Sequence, residues 1–359
     1  MNDSDRTWLI SGIQQIGVGV PDVQAAFAWH RKTFGMDVPI FSDEGEAALM
    51  LPYTGGKPQS RHAILAANLS GGSAFELWQY TSRATASPHF PVELGDLGIF
   101  AARMKAREVR AASAAMRAAE RRLAGEVVRD PRGGEHFFLQ DPLGLFYDVV
   151  LGEDWFQPGP SGAIMGGAEG CLVGVSDIDR ARALYSDILG YDTVIYDAAG
   201  VFADFAHLPG GSGRFHRVLL AHSKPRVGAF SRLLGSSRIE LVQALSRTPR
   251  KIFEDRLWGD LGFIHLCFDV RGMAALQREC VARGFPITAD SASSFDMGDA
   301  AGHFCYVEDP DGTLIEFVET HRLPILKKLG LFLDLRKRDP KKPLPNWMIR
   351  SLGFSRVKD

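Results

Sequence analysis

The sequence predicts an α+β protein built from four strand–helix–strands modules arranged as two similar halves, and three observations carry that expectation. The word GDLG occurs at Gly95–Gly98 and again at Gly259–Gly262, an offset of 164 (259 − 95), and FELWQ ending at Gln79 returns as IELVQ ending at Gln243 at the same offset. Upstream, VPDV at Val20–Val23 returns as VSDI at Val175–Ile178, 155 residues later. Near the ends of the copies, DPLG at Asp141–Gly144 matches DPDG at Asp309–Gly312, 168 residues apart. A repeat this long implies two similar domains rather than a solenoid, and 359 residues exceed what one core usually supports. The nine-residue difference between offsets (164 − 155) predicts an insertion in the second copy, placed in the Gly-rich stretch Pro209–Gly213.

Within each half, apolar alternation gives way to a helical period and then returns. Ile13–Val20 is the first strand; Asp22 follows as N-cap, because its carboxylate accepts the free amides of a first turn. Ala25–Phe34 carries the helix, and Gly35 stands where a C-terminal cap falls. The plan repeats at Cys171–Val175, with helix Asp177–Leu189 and Gly190, and less clearly at Phe100–Met104 and Ile264–Val270. The Arg-rich run Ala102–Arg122 reads as a solvated amphipathic helix. The halves are expected as domains 8–152 and 164–322, with a basic extension 323–359 that has no counterpart in the first copy and wraps the second domain.

With 45% hydrophobic and 23% charged residues the composition is that of a globular protein. A net charge of −2, with no basic stripe interleaved with aromatics, argues against a nucleic-acid partner. No apolar run approaches a membrane span and the N-terminal stretch lacks a signal-peptide core, so a cytoplasmic location without membrane attachment is expected. The four cysteines, Cys171, Cys267, Cys280 and Cys305, all fall in the second half without CxxC spacing, and buried thiols are expected.

The tandem phrases VPDVQAAFAWHRKTFGM and VSDIDRARALYSDILGY, followed by DPDGTLIEFVE at Asp309–Glu319, resemble the vicinal oxygen chelate superfamily of glyoxalases, resistance proteins and extradiol dioxygenases. The resemblance covers roughly Ile13 to Glu319. It implies four βαβββ modules paired into two domains, each a curved mixed or antiparallel sheet cup with helices outside. It also implies one divalent metal ion (Zn, Ni, Co, Mn or Fe), with ligands from the first and last strands of each module, and a small-molecule substrate chelated through two neighbouring oxygens.

Carried residue by residue, the resemblance assigns Gly170, Glu240, His265 and Glu316 in the second half and Gln15, Glu76, Ala101 and Asp148 in the first. Glu240, His265 and Glu316 are therefore the expected metal set, with Glu240 or Glu316 as catalytic base. Gln15, Glu76 and Asp148 form a second-rank set in a degenerate first domain. An imidazole with two carboxylates leaves open positions for water or substrate. Each of the three sits between apolar neighbours, so on a strand it points to the face opposite them. His303 and Tyr306 are candidates for the substrate cup, and His207, His216 or His222 for the position vacated at Gly170.

The expected activity is a metal-dependent lyase or isomerase acting through an enediolate or enolate. A dioxygenase with ferrous iron and a non-catalytic binding protein are the alternatives. With four modules in one chain, a monomer or a weak homodimer is expected.

Overall fold

The computed structural model describes residues 7–157, 163–291, 295–297, 300–326 and 331–358. Module one comprises β1 (Leu9–Gly19), α1 (Val23–Phe34), β2 (Val38–Glu46), β3 (Ser60–Ala67) and β4 (Ala74–Tyr80). Module two comprises β5 (Gly98–Ala106), α2 (Val109–Ala118), β6 (Arg122–Arg129), β7 (Glu135–Gln140) and β8 (Phe146–Leu151). Module three comprises β9 (Met165–Gly174), α3 (Ile178–Tyr185), β10 (Thr193–Gly200), β11 (Phe215–Ala221), α4 (Ser231–Leu234) and β12 (Arg238–Ala244). Module four comprises β13 (Gly262–Arg271), α5 (Met273–Ala282), β14 (Ala289–Asp290), β15 (Phe295–Met297), β16 (Ala300–Glu308) and β17 (Leu314–Leu326). The extension adds β18 (Leu331–Asp334) and α6 (Asn346–Ser351).

Local chemistry sets the ends of the elements as expected. Asp22 accepts hydrogen bonds from the Gln24 and Ala25 amides, and Gly35 closes α1 at φ 66°, a conformation that costs glycine little. Asp177 caps α3 in the same way. The run Ala102–Arg122 is not one solvated helix: its first residues belong to β5, and only Val109–Ala118 is helical. Burial of β5 on both faces outweighs the helical propensity of its Ala, Arg and Lys residues.

The fold is the expected one, four modules forming curved sheets with helices outside, but the pairing of modules is not. One sheet runs β2–β3–β4–β1–β13–β17–β16, joining modules one and four. The other runs β6–β7–β8–β5–β9–β12–β11–β10, joining modules two and three. Sequence halves 8–152 and 164–322 therefore do not each close a cup. The reason lies in the connections: β8 leads to β9 through the thirteen residues 152–164, and both strands flank β5. A short connection makes chain neighbours spatial neighbours, so β9 takes the free edge of β5 and leaves β1 and β13 to each other.

The insertion also lies elsewhere than expected. Between β11 and β12 run sixteen residues, 222–237, where β3 and β4 are separated by six, 68–73. This excursion carries α4, and its Leu233 packs with Leu335, Leu344 and Ile349 of the extension and with Val38, Leu69 and Phe156. The extension thus spans modules one and three as well as pairing β18 with β17.

A continuous core lies between the outer helices and the convex sheet faces. It gathers Phe27 and Phe34 of α1, Met116 of α2, Leu184 of α3 and Leu276 of α5 against Ile16, Met104, Val173 and Phe268. Full burial of each such side chain contributes roughly 1.5–3 kcal/mol. All four cysteines are buried free thiols. Among the described residues, no helix is long and apolar enough to cross a membrane.

Candidate metal centre

The site forms on four adjacent strands, β4–β1–β13–β17. Register sets Glu76 of β4 beside Gly17 of β1, and Gly17 beside His265 of β13. One row along, Gln15 stands beside Cys267, and Cys267 beside Glu316 of β17. The four polar side chains converge: Gln15 Nε2 lies 3.2 Å from Glu76 Oε2 and 3.5 Å from Glu316 Oε2. His265 Nε2 lies 3.4 Å and 3.2 Å from the same two oxygens. One ligand atom each of Glu76, His265 and Glu316 falls within 4.8 Å of the others.

Gln15, His265 and Glu316 are buried, and neither ring nitrogen of His265 makes a directed hydrogen bond. Burial alone would push the imidazole down, but the carboxylates of Glu316 and Glu76 outweigh it and raise its pKa to about 9. One buried and one partly buried carboxylate aimed at one point, with an imidazole close to both that makes no directed hydrogen bond, are costly without a cation. Rotation of the Gln15 amide presents its oxygen instead of its nitrogen. One nitrogen and three oxygen donors then face that point, and these residues fit a divalent metal ion.

Aromatic side chains enclose the group. The Trp258 indole lies parallel to the His265 ring at 6.1 Å (14° between planes), and Tyr306 meets that ring edge-on at 5.7 Å. Trp258 comes from the connection 245–261. Its carbonyl accepts from the Tyr80 hydroxyl and its amide donates to the Tyr53 carbonyl. Two residues on, the buried Asp260 accepts from Arg83, the Ala86 amide and the Leu257 amide.

Of the residues expected from sequence, His265 and Glu316 are in this site and Glu240 is not. The second-rank Gln15 and Glu76 take its place. Tyr306 lines the cup. His303 does not: it is an odd number of residues from Tyr306 on the same strand, shares the face of Cys305 and Val307, and binds Asp290 at 2.6 Å. Among the described residues no histidine lies against Gly170, and His207 sits against Gly125 instead. His216 pairs with Asp197 and His222 with the Gly190 carbonyl, and a Cβ at Gly170 would collide with the Arg238 carbonyl.

Glu240 and Asp148 meet in the other cup, bridged by an arginine. Arg103 Nη1 lies 2.9 Å from Glu240 Oε2 and 3.4 Å from Asp148 Oδ2. Arg217 holds the other Glu240 oxygen at 2.7 Å and Asp204 at 2.7 Å. His136 closes the network, 2.7 Å from Asp148 and 3.4 Å from Asp204. Burial would lower the His136 pKa, but Asp148 and Asp204 raise it to about 9. The guanidinium of Arg103 thus bridges the two carboxylates whose counterparts in the first cup flank the metal-sized gap. Phe205, from the connection 201–214, packs over Arg217 and fills the rest.

Sequence reading missed Arg103, Arg217, Asp204 and His136 because each is an ordinary polar residue until the strands are placed. One signal was available. The two non-ligands, Ala101 and Gly170, belong to modules two and three, so pairing one with four yields a complete set and pairing in chain order never does.

The mixed sheet closed from two modules gathers one buried His, one buried Glu and one partly buried Glu. Residues 171–306 match the model of the Glyoxalase/Bleomycin resistance protein/Dioxygenase superfamily. That segment runs from within β9 to within β16, parts of two modules consecutive in the chain that contribute to different cups. Glyoxalase I from Zea mays shares the fold at a TM-score of 0.53 and 12% identity, over 86% of this chain and 92% of that one. A putative dioxygenase from Bacillus subtilis shares it at 0.53 and 13%, over 87% and 86%. No curated protein matches the chain by sequence.

Proposed function

We propose that the protein is a metal-dependent, glyoxalase-like lyase or isomerase of the cytoplasm, acting on a small substrate with two adjacent oxygens, and that Gln15, Glu76, His265 and Glu316 form its working site. The observation that carries this reading is the convergence of two carboxylates and an imidazole that makes no directed hydrogen bond in an aromatic-walled cup. Likeness of fold to a glyoxalase I supports it.

A divalent ion bound there supplies a Lewis acid for charge developing on two neighbouring substrate oxygens. The chain's own residues do the rest. Gln15 and His265 are neutral donors in the loaded site, so the proton-transfer role falls to a carboxylate. Glu316 is the proposed base: it takes the proton from the carbon beside a carbonyl and returns it to the neighbouring position. Glu76, on the opposite strand, balances the ion's charge. Trp258 and Tyr306, stacked on and edged against His265, hold the imidazole plane and exclude water.

The test is elemental analysis of the purified chain beside His265→Ala, with activity of both measured on a panel of hydroxy-ketones and 2-oxo compounds. Near one equivalent of metal, lost together with activity in the variant, supports the reading. Full metal content and activity in the variant defeat it. The fold shared with a putative dioxygenase favours a second reading, tested by oxygen uptake with ferrous iron. The single histidine of the site departs from the two-histidine, one-carboxylate set of such iron enzymes.

A further inference from the structure

We infer that the substrate of this cup is an electrically neutral, largely apolar molecule, with an aromatic or bulky hydrocarbon group beside its two chelating oxygens, rather than a charged conjugate such as a thiol peptide or a phosphate ester. The inference rests on the metal-site reading above and narrows it to a substrate class.

The wall around the ligands carries it. Met50, Trp78, Trp258, Phe304, Tyr306 and Val318 form one buried apolar cluster beside the polar group. Trp78 and Trp258 meet edge to face at 4.1 Å, and Phe304 packs edge-on against Tyr306 at 5.9 Å. Such a surface gains by covering hydrocarbon and by ring–ring contact.

An anionic substrate tail needs a cation, and those that touch this wall are committed elsewhere. Arg61 lies over Trp78 but is held by Asp43 at 2.9 Å. Arg83 lies over Tyr80 and pairs with Asp260 at 2.6 Å. Arg256 lies over Phe253 and spends its guanidinium on the Ile252, Leu261 and Ala86 carbonyls. Among the described residues, the carboxylates that face the cup without an arginine partner are Glu76 and Glu316, and a divalent ion would neutralise them. A carboxylate or phosphate carried in on a substrate would be desolvated without a partner.

Calorimetric titration of the metal-loaded full chain tests this with two matched probes: 2-hydroxyacetophenone, and the hemithioacetal of phenylglyoxal with glutathione. The second offers the same phenyl ring and oxygen pair on a charged tripeptide. The neutral probe is expected to bind at least about tenfold more tightly. Trp258→Ala should weaken it about tenfold while the metal stays, and Trp258→Phe, which keeps an aromatic surface, should largely preserve it. Equal or tighter binding of the glutathione conjugate, or no binding of the neutral probe, overturns the inference. Unchanged affinity in Trp258→Ala does the same. Metal content measured on the same samples separates the two levels. A chain that takes up no metal overturns the site reading and this inference with it, whereas a loaded chain that prefers the conjugate overturns only the substrate class.

Discussion

Gly17 and His265 are register partners on β1 and β13, and the imidazole lies flat against the bare Cα of the glycine. A Cβ built on residue 17 would fall 2.5 Å from Nδ1 and 2.7 Å from Nε2, closer than any real side chain approaches. The backbone of module one therefore sets the ring plane of a ligand that module four supplies. Gly17→Ala must turn or expel the ring, since the glycine's own strand is paired on both sides and cannot retreat. Metal affinity should fall about 10–100-fold while far-ultraviolet circular dichroism stays native. A competition titration with a chromophoric chelator measures the first.

Glu76 and Glu240 occupy equivalent positions 164 residues apart yet have different fates. Glu76→Gln should abolish stoichiometric metal binding. Glu240→Gln should leave one ion per chain, because its carboxylate already belongs to Arg103 and Arg217. Elemental analysis of the two variants decides this, and metal loss in Glu240→Gln alone would contradict the assignment of cups.

Arg103 holds two carboxylates apart in a space from which water is excluded. Arg103→Met leaves Glu240 and Asp148 without that cation, and breaking a buried ion network typically costs about 3–5 kcal/mol. Urea unfolding should show that loss through the midpoint rather than the slope. Adding Glu240→Gln to Arg103→Met should recover part of it, since the two sites are coupled.

His136 makes the stability of the second cup dependent on pH. Its pKa is held at about 9, above its ordinary 6.5, by Asp148 and Asp204 against the opposing effect of burial. The folded state therefore keeps its proton longer than the unfolded chain. The stabilisation is complete below pH 6.5 and is lost as pH rises through about 9. Melting temperature followed from about pH 6 to 10 should decline across that window, and His136→Gln should flatten the decline.

The candidate site was half legible in the sequence. His265 and Glu316 stand out because each is a ligand type flanked by apolar residues on a strand, a local pattern. Glu76, between Phe75 and Leu77, shows the same pattern and Gln15 follows another glutamine, but the rank of both depends on which module faces which, and nothing local records that. Arg103 has the sequence signature of a solvated helix residue because Ala, Arg and Lys propensities dominate its window, whereas the burial that makes it strand and network comes from β8 and β9 on either side.

The chain by itself determined its modules, the caps of α1 and α3, the free buried thiols and the ligand-type residue at each homologous strand position, since all of these follow from short-range period and chemistry. Only the tertiary structure decided that Gln15 sits beside Cys267, two residues from His265, and that Glu240 sits beside arginines rather than a metal-sized gap. The physical reason is that strand faces are set by a two-residue period, while strand partners are set by which edges remain free once the shortest connection has been closed. The thirteen residues between β8 and β9 are the shortest link between modules and set β9 beside β5, and the first and fourth modules complete each other because their edges are the ones left.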